Sequence, residues 1–184
     1  MKSLLLSLAA LSTLSSTAIA ADIEAGVVKR MIETPATPLI KQDPIDINSL
    51  TLDTGNQGLM TLAAATGISY FEIGNIGSSN VGWETIQSYQ TTTLNDHGGS
   101  QLYAYVWQVG YGNIGSASIN GISKTAEQSQ YRCGSDLHIC ATGETVTGWV
   151  YLYNLSGQQS GTFTVSANSI ASPYGYWSDS IYIQ

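Results

Sequence analysis

The chain has 184 residues, of which 10% are charged, against about a quarter in an average globular protein. A net charge of −7 offers no basic surface to nucleic acid and sets the chain against an anionic membrane. A hydrophobic fraction of 43% excludes disorder, and 19 glycines with 11 tyrosines fit an extracellular all-β protein.

The first predicted element is an export signal over residues 1–20. Met1-Lys2-Ser3 is a short positive start, and the leucine-rich run from Leu4 to Leu14 is too short to span a bilayer. Ala18-Ile19-Ala20 supplies the small-x-small pattern of a signal peptidase site, so cleavage is placed after Ala20. No cysteine follows to carry a lipid, and no other stretch is a membrane candidate. The expectation is a secreted protein, extracellular or periplasmic, without stable membrane insertion.

Residues 21–67 read as a poorly structured linker, arm or propeptide. Every Tyr, Trp and Phe lies between Tyr70 and Tyr182, while Pro35, Pro38 and Pro44 all fall in this earlier part. Without aromatics it can hardly build a core. "GVVKRMIE" (26–33) and "GLMTLAAA" (58–65) have the propensity for short helices. Lys29-Arg30 is a candidate processing site. "DTGNQG" (53–58) is similar to an aspartic-protease triplet, but that chemistry needs two facing carboxylates and no second triplet exists, so it is read as a turn.

From residue 68 to 184 the pattern is β. "ISYFEIGNI" (68–76), "WETIQSYQ" (83–90), "QLYAYVWQVGY" (101–111), "SASIN" (116–120), "TGWVYLYNL" (147–155), "GTFTVSA" (161–167) and "YWSDSIYIQ" (176–184) are strand candidates separated by Gly, Ser and Asn turn chemistry. Asn120-Gly121 is a strong hairpin signal, and "SGQQS" (156–160) suggests a second hairpin. About seven strands without intervening helical periods predict a single antiparallel β-sandwich.

Two strands sort their side chains by face. Leu102, Ala104, Val106 and Gln108 alternate with Tyr103, Tyr105, Trp107, Val109 and Tyr111; Val146, Gly148, Val150 and Leu152 alternate with Trp149, Tyr151 and Tyr153. In one reading both aromatic rows are buried, with hydroxyls and indole N–H groups partnered at the rim. In the other, Tyr103, Tyr105, Trp107, Trp149, Tyr151 and Tyr153 form one exposed platform for a glycan or cell-surface ligand.

Asp96-His97-Gly98-Gly99 holds the best catalytic candidates, Asp96 and His97. "HGGS" is similar to the oxyanion loops of esterases, but no G-x-S-x-G elbow accompanies it. An acid partner for His97 would be Glu72, Glu84 or Asp179. The plainer reading is a loop in which Asp bonds its own backbone and the glycines adopt positive φ. Cys133 and Cys140, in "CGSDLHIC", read as a disulfide in an oxidising compartment; zinc held by both thiolates and His138 is the rival. No metal site and no cofactor are assigned. Asn154-Leu155-Ser156 is a glycosylation sequon, meaningful only in a eukaryotic pathway.

"SYFEIGNI", "GWETIQSYQTTTLNDHGGSQLYAYVWQVGYG", "GWVYLYNLSGQQSGTFTVSANS" and "YWSDSI" together resemble the YolA-like family of small secreted bacterial proteins of unknown function, over about residues 68–184. The resemblance implies a bacterial secreted protein and carries no activity. The expectation is a monomeric, non-catalytic extracellular binding module. A small hydrolase using His97 with a carboxylate, or an antagonistic toxin or inhibitor covered by the N-terminal arm, are the alternatives.

Overall fold

A computed structural model describes residues 60–184; the signal, processing and "DTGNQG" assignments and the 26–33 helix lie outside them. The described residues form eleven strands: β1 (Thr61–Leu62), β2 (Tyr70–Ser78), β3 (Gly82–Thr85), β4 (Leu102–Val109), β5 (Gly112–Ile119), β6 (Ile122–Lys124), β7 (Ala126–Cys133), β8 (His138–Ile139), β9 (Thr145–Asn154), β10 (Gly161–Ser169) and β11 (Tyr176–Ile183). Among the described residues there is no helix. The larger sheet runs β3-β2-β4-β9-β7-β8, with β1 pairing in parallel to β9. The smaller sheet runs β11-β10-β5-β6. All other strand pairs are antiparallel, giving the expected sandwich.

The core lies between the sheets. Ile73 and Ile76 of β2, with Leu102, Ala104 and Val106 of β4, face Ala117 and Ile119, Phe163 and Val165, and Ile181 and Ile183 of the smaller sheet. Each such Ile, Val or Phe contributes roughly 1.5–3 kcal/mol of burial. Val106 therefore points inward and Tyr105 outward, as alternation predicted. The N–H of Ile73, beside the β-bulge at Gly74, donates to Asp179 of β11 at 2.8 Å, tying the two sheets at one side.

Three local expectations are met or corrected. Asn120 and Gly121 do make the β5–β6 hairpin, with φ of 51° and 77°, as a two-residue turn of the right twist requires. Residues 156–160 are not a hairpin: β9 and β10 lie in different sheets. Leu155 is fully buried there, so the chain crosses between layers rather than turning back beside itself. Residues 60–65 are not helical; Thr61 and Leu62 pair with Thr145 and Val146. A short apolar stretch gains little from one helical turn, and pairing to an existing strand edge wins.

Candidate functional site

The "NDHGG" loop is a strap between the two sheets. The N–H of Thr93 donates to the carbonyl of Tyr182, the N–H of Tyr182 to that of Thr91, and the N–H of His97 to that of Gln184. The edge of β11 is thus covered by the loop that follows β3. Inside the strap, Glu84 accepts from the N–H groups of Leu94 at 2.7 Å and Asn95 at 2.9 Å, and from the side-chain amides of Asn95 and Gln90, each at 2.8 Å. Burial alone would raise its carboxyl pKa, but these four donors outweigh it and hold it at about 2.

Of the three acids considered for His97, the structure selects Glu84. His97 Nε2 lies 3.2 Å from Glu84 Oε2, and Nδ1 lies 3.2 Å from Ser78 Oγ. Glu72 instead accepts from Tyr70 and Ser88, and Asp179 from Ile73. An ionised carboxylate only accepts, so Nε2 carries the proton toward Glu84; in the neutral ring Nδ1 then accepts from Ser78. Ser78 meanwhile receives the N–H of Val81 at 3.4 Å. The order serine, imidazole, carboxylate is that of nucleophilic triads. Here, however, Ser78 and His97 are 0% exposed and Glu84 7%, which closes both ring nitrogens to an incoming substrate. Ser78 escaped the sequence reading because "GSSN" looks like a turn, whereas β2 continues through Gly77 and Ser78.

Asp96 does not reach the ring's acid side. Its Oδ1 accepts from the N–H of Gly98 at 3.0 Å, a local turn, and Gly99 sits at φ 133°. Beside it opens a polar depression of about 660 Å3, lined by Asn80, Asp96, Gly99, Gln159, Tyr182 and Gln184 among others.

The aromatic rows of β4 and β9 do not share a surface. Register pairs Tyr105 with Leu152, Trp107 with Val150, and Val106 with Tyr151. Directly paired residues project to the same side. Tyr103, Tyr105 and Trp107 therefore lie on the outer face of the larger sheet, and Trp149, Tyr151 and Tyr153 on the inner one. On the outer face Tyr105 and Trp107 are each 3% exposed. Trp83 stacks on Tyr105 with ring centroids 4.8 Å apart, and the Arg132 guanidinium lies 4.9 Å over Trp107. Burial pulls Arg132 down to about 10 and pushes the Tyr105 phenol up to about 12. The expected rim partners are missing: among the described residues the Tyr105 hydroxyl and Trp107 indole N–H bond to nothing. Ring contacts and glycines pack these two rings. A Cβ at Gly77 would come within 2.5 Å of the Trp83 ring, and one at Gly74 within 2.4 Å of Trp107.

On the inner face, Tyr153 is fully buried against Phe163 at 5.5 Å. Trp149 and Tyr151 are half-buried, and Trp149 meets Tyr111 edge-on at 5.0 Å and Tyr131 at 6.4 Å. β6 passes from the smaller sheet to β7 of the larger through Thr125 alone, and an open cleft of about 390 Å3 forms at that corner. Tyr151 and Tyr153 line it, with Ile114, Lys124, Glu127 and Ser129. Burial raises both phenols, that of Tyr153 to about 12, and because the Tyr153 hydroxyl is itself buried, Tyr151 is the ring that turns a neutral hydroxyl to the cleft.

Cys133 and Cys140 are joined as a disulfide, which removes both thiolates that the rival zinc site required. The bridge closes the β7–β8 hairpin and packs Leu137 into the outer-face cluster with Trp107. His138 sits between Asp136, 2.7 Å from Nδ1, and Glu144, 3.1 Å from Nε2. Hydrogen bonds to these two carboxylates raise the imidazole above its ordinary value.

No curated protein matches the chain. A family model described as "Domain of unknown function (DUF4879)" matches residues 63–183, which takes in β2 through β11, the strap and both aromatic rows. The chain belongs to this family, DUF4879.

Proposed function

We propose that the protein is a secreted, non-catalytic binding module whose ligand is a glycan. The observation that carries the reading is the partly exposed ring of Tyr151 lining an open cleft, with the partly exposed Trp149 two residues away on the same face of β9. Flat rings suit the apolar faces of sugars, and neutral Tyr hydroxyls both donate and accept towards sugar hydroxyls. The hydrolase alternative loses its support, because the imidazole it needs is enclosed with Glu84 and Ser78. A disulfide fits an exported protein, and the YolA-like resemblance implies the same compartment in a bacterium.

The test is retention on an array of soluble oligosaccharides. Wild type should bind a subset, and Tyr151→Ala and Trp149→Ala should each weaken that binding about tenfold while circular dichroism stays unchanged. Wild-type binding that both variants retain in full would remove the cleft from the account. Binding to none of the sugars would remove the glycan.

A further inference from the structure

The outward face of the smaller sheet is a surface without charge. On β10 the positions facing away from Phe163, Val165 and Ala167 are Thr162, Thr164, Ser166 and Asn168. Those of β11 are Tyr176, Ser178, Ser180 and Tyr182, paired in register with Asn168, Ser166, Thr164 and Thr162. On β5, Ser118 stands opposite Thr164, and Asn113 opposite Asn168. Ser166 plugs the irregular step between β5 and β10: its Oγ accepts the N–H of Ser116 at 2.9 Å and lies 3.1 Å from Ser116 Oγ. Among these positions every side chain is a hydroxyl, an amide or a phenol.

Charged residues make up 10% of the chain and none of these positions. Their absence here makes the face complementary to a ligand that is itself uncharged. Apart from Ser166, which is buried and bonded to Ser116, each hydroxyl can donate and accept, which matches the hydroxyls of a neutral sugar. Ser and Thr are short, so little rotamer freedom is lost when a ligand settles on them. Tyr176 is 59% exposed and Tyr182 46%, one near each end of β11. Six residue steps of strand, about 20 Å, separate them, a line along which an extended chain can lie. Tyr182 and Gln184 also border the polar depression beside Asp96, so the face and the depression are continuous.

We infer that this face of β5, β10 and β11 binds an extended, uncharged polysaccharide. The inference rests on the carbohydrate-binding reading above, names the class of polymer, and places it on a surface separate from the cleft.

The experiment is depletion of the full secreted protein from solution by cellulose and by chitin particles, with soluble polygalacturonate as a charged competitor. Retention should be the same from about 0.01 to 1 M salt, because no ion pairs are formed. Polygalacturonate should not compete. Ser180→Glu and Thr164→Glu put a charge in the centre of the face, and Tyr182→Ala removes a terminal ring; each should lower affinity about tenfold. Ile139→Ala, on β8 at the far edge of the larger sheet and on neither surface, should leave particle retention within about twofold. Thermal melts identify any variant that fails to fold, and Ser178→Lys replaces it. Failure of wild type to bind either particle, with the oligosaccharide array still positive, would overturn this inference and leave the cleft standing. Loss of retention in high salt, competition by polygalacturonate, or full retention by the charged variants would also overturn it.

Discussion

His97 Nε2 lies 3.2 Å from Glu84 Oε2, and both groups sit inside the strap that covers the edge of the last strand. The pair joins β3 of the larger sheet to a loop whose backbone is bonded to Tyr182 and Gln184 of the smaller one. Glu84→Ala would strand the N–H groups of Leu94 and Asn95 and the imidazole of His97. The expected cost is about 3 kcal/mol, with amide exchange accelerated at Tyr182 and Gln184 before it rises in β4. Equal protection of those amides in wild type and variant would refute the brace.

The same carboxyl sets a pH dependence. Its folded pKa of about 2 lies below the ordinary 4.5, so the native state binds this proton more weakly than the unfolded chain does. The stabilisation is fully present above the unfolded value and is lost as pH falls from about 4.5 towards 2. A shift of this size corresponds to at most about 3 kcal/mol. Thermal melts of wild type should therefore drop through that window, and Glu84→Gln should flatten part of the slope. Unchanged slopes would place the acid sensitivity in other carboxylates.

Much of this was readable in the sequence and some of it could not be. Val106 inward and Tyr105 outward followed from alternation, which is local to one strand. Whether Tyr105 and Tyr151 share a side was not local, because a shift of one residue in the β4–β9 pairing exchanges the faces of a whole strand. The observed register opposes Tyr105 to Leu152 and so separates the rows. β7 escaped notice because "AEQSQYRC" has no apolar alternation; it is held by its neighbour β9 and by the disulfide. Glu84 could be named for His97 only as one of three acids, since the choice depends on how the strap closes.

The disulfide acts on the outer face through Leu137. A loop of sequence separation 7 confers roughly 2–2.5 kcal/mol in the chain-entropy description. Cys133→Ser with Cys140→Ser should lower stability by about 2 kcal/mol and loosen Leu137 and Arg132 from Trp107. Tryptophan emission should shift to longer wavelength while oligosaccharide binding at the cleft persists. Loss of that binding with the fold intact would mean the hairpin belongs to the site.

His138 offers a spectroscopic check on the same hairpin. Hydrogen bonds donated to Asp136 and Glu144 favour its charged form, so the folded pKa is raised. Any stability it confers is present below the unfolded value near 6.5 and fades as pH rises through the folded one. Its ring protons followed by NMR should titrate above the ordinary histidine range, and Glu144→Gln should bring the midpoint down. A midpoint that ignores Glu144→Gln would dissolve the contact.

The separation of the aromatic rows gives opposite outcomes for two similar substitutions. Trp107 is closed in by Arg132 and by Gly74, whose missing side chain leaves room for the indole. Trp107→Ala should cost about 3–5 kcal/mol, the range for a large buried ring, and Gly74→Ala should act in the same direction because the new methyl collides with that ring. Tyr151 is half-buried at the cleft and packs against the rim of the core. Its removal should cost less stability and more binding. Denaturant titration beside the oligosaccharide array separates the two. Should Tyr151→Ala lose stability but not binding, while a folded Trp107→Ala loses binding, the ligand would have to be placed on the outer face of the larger sheet, over the ring that Arg132 now covers.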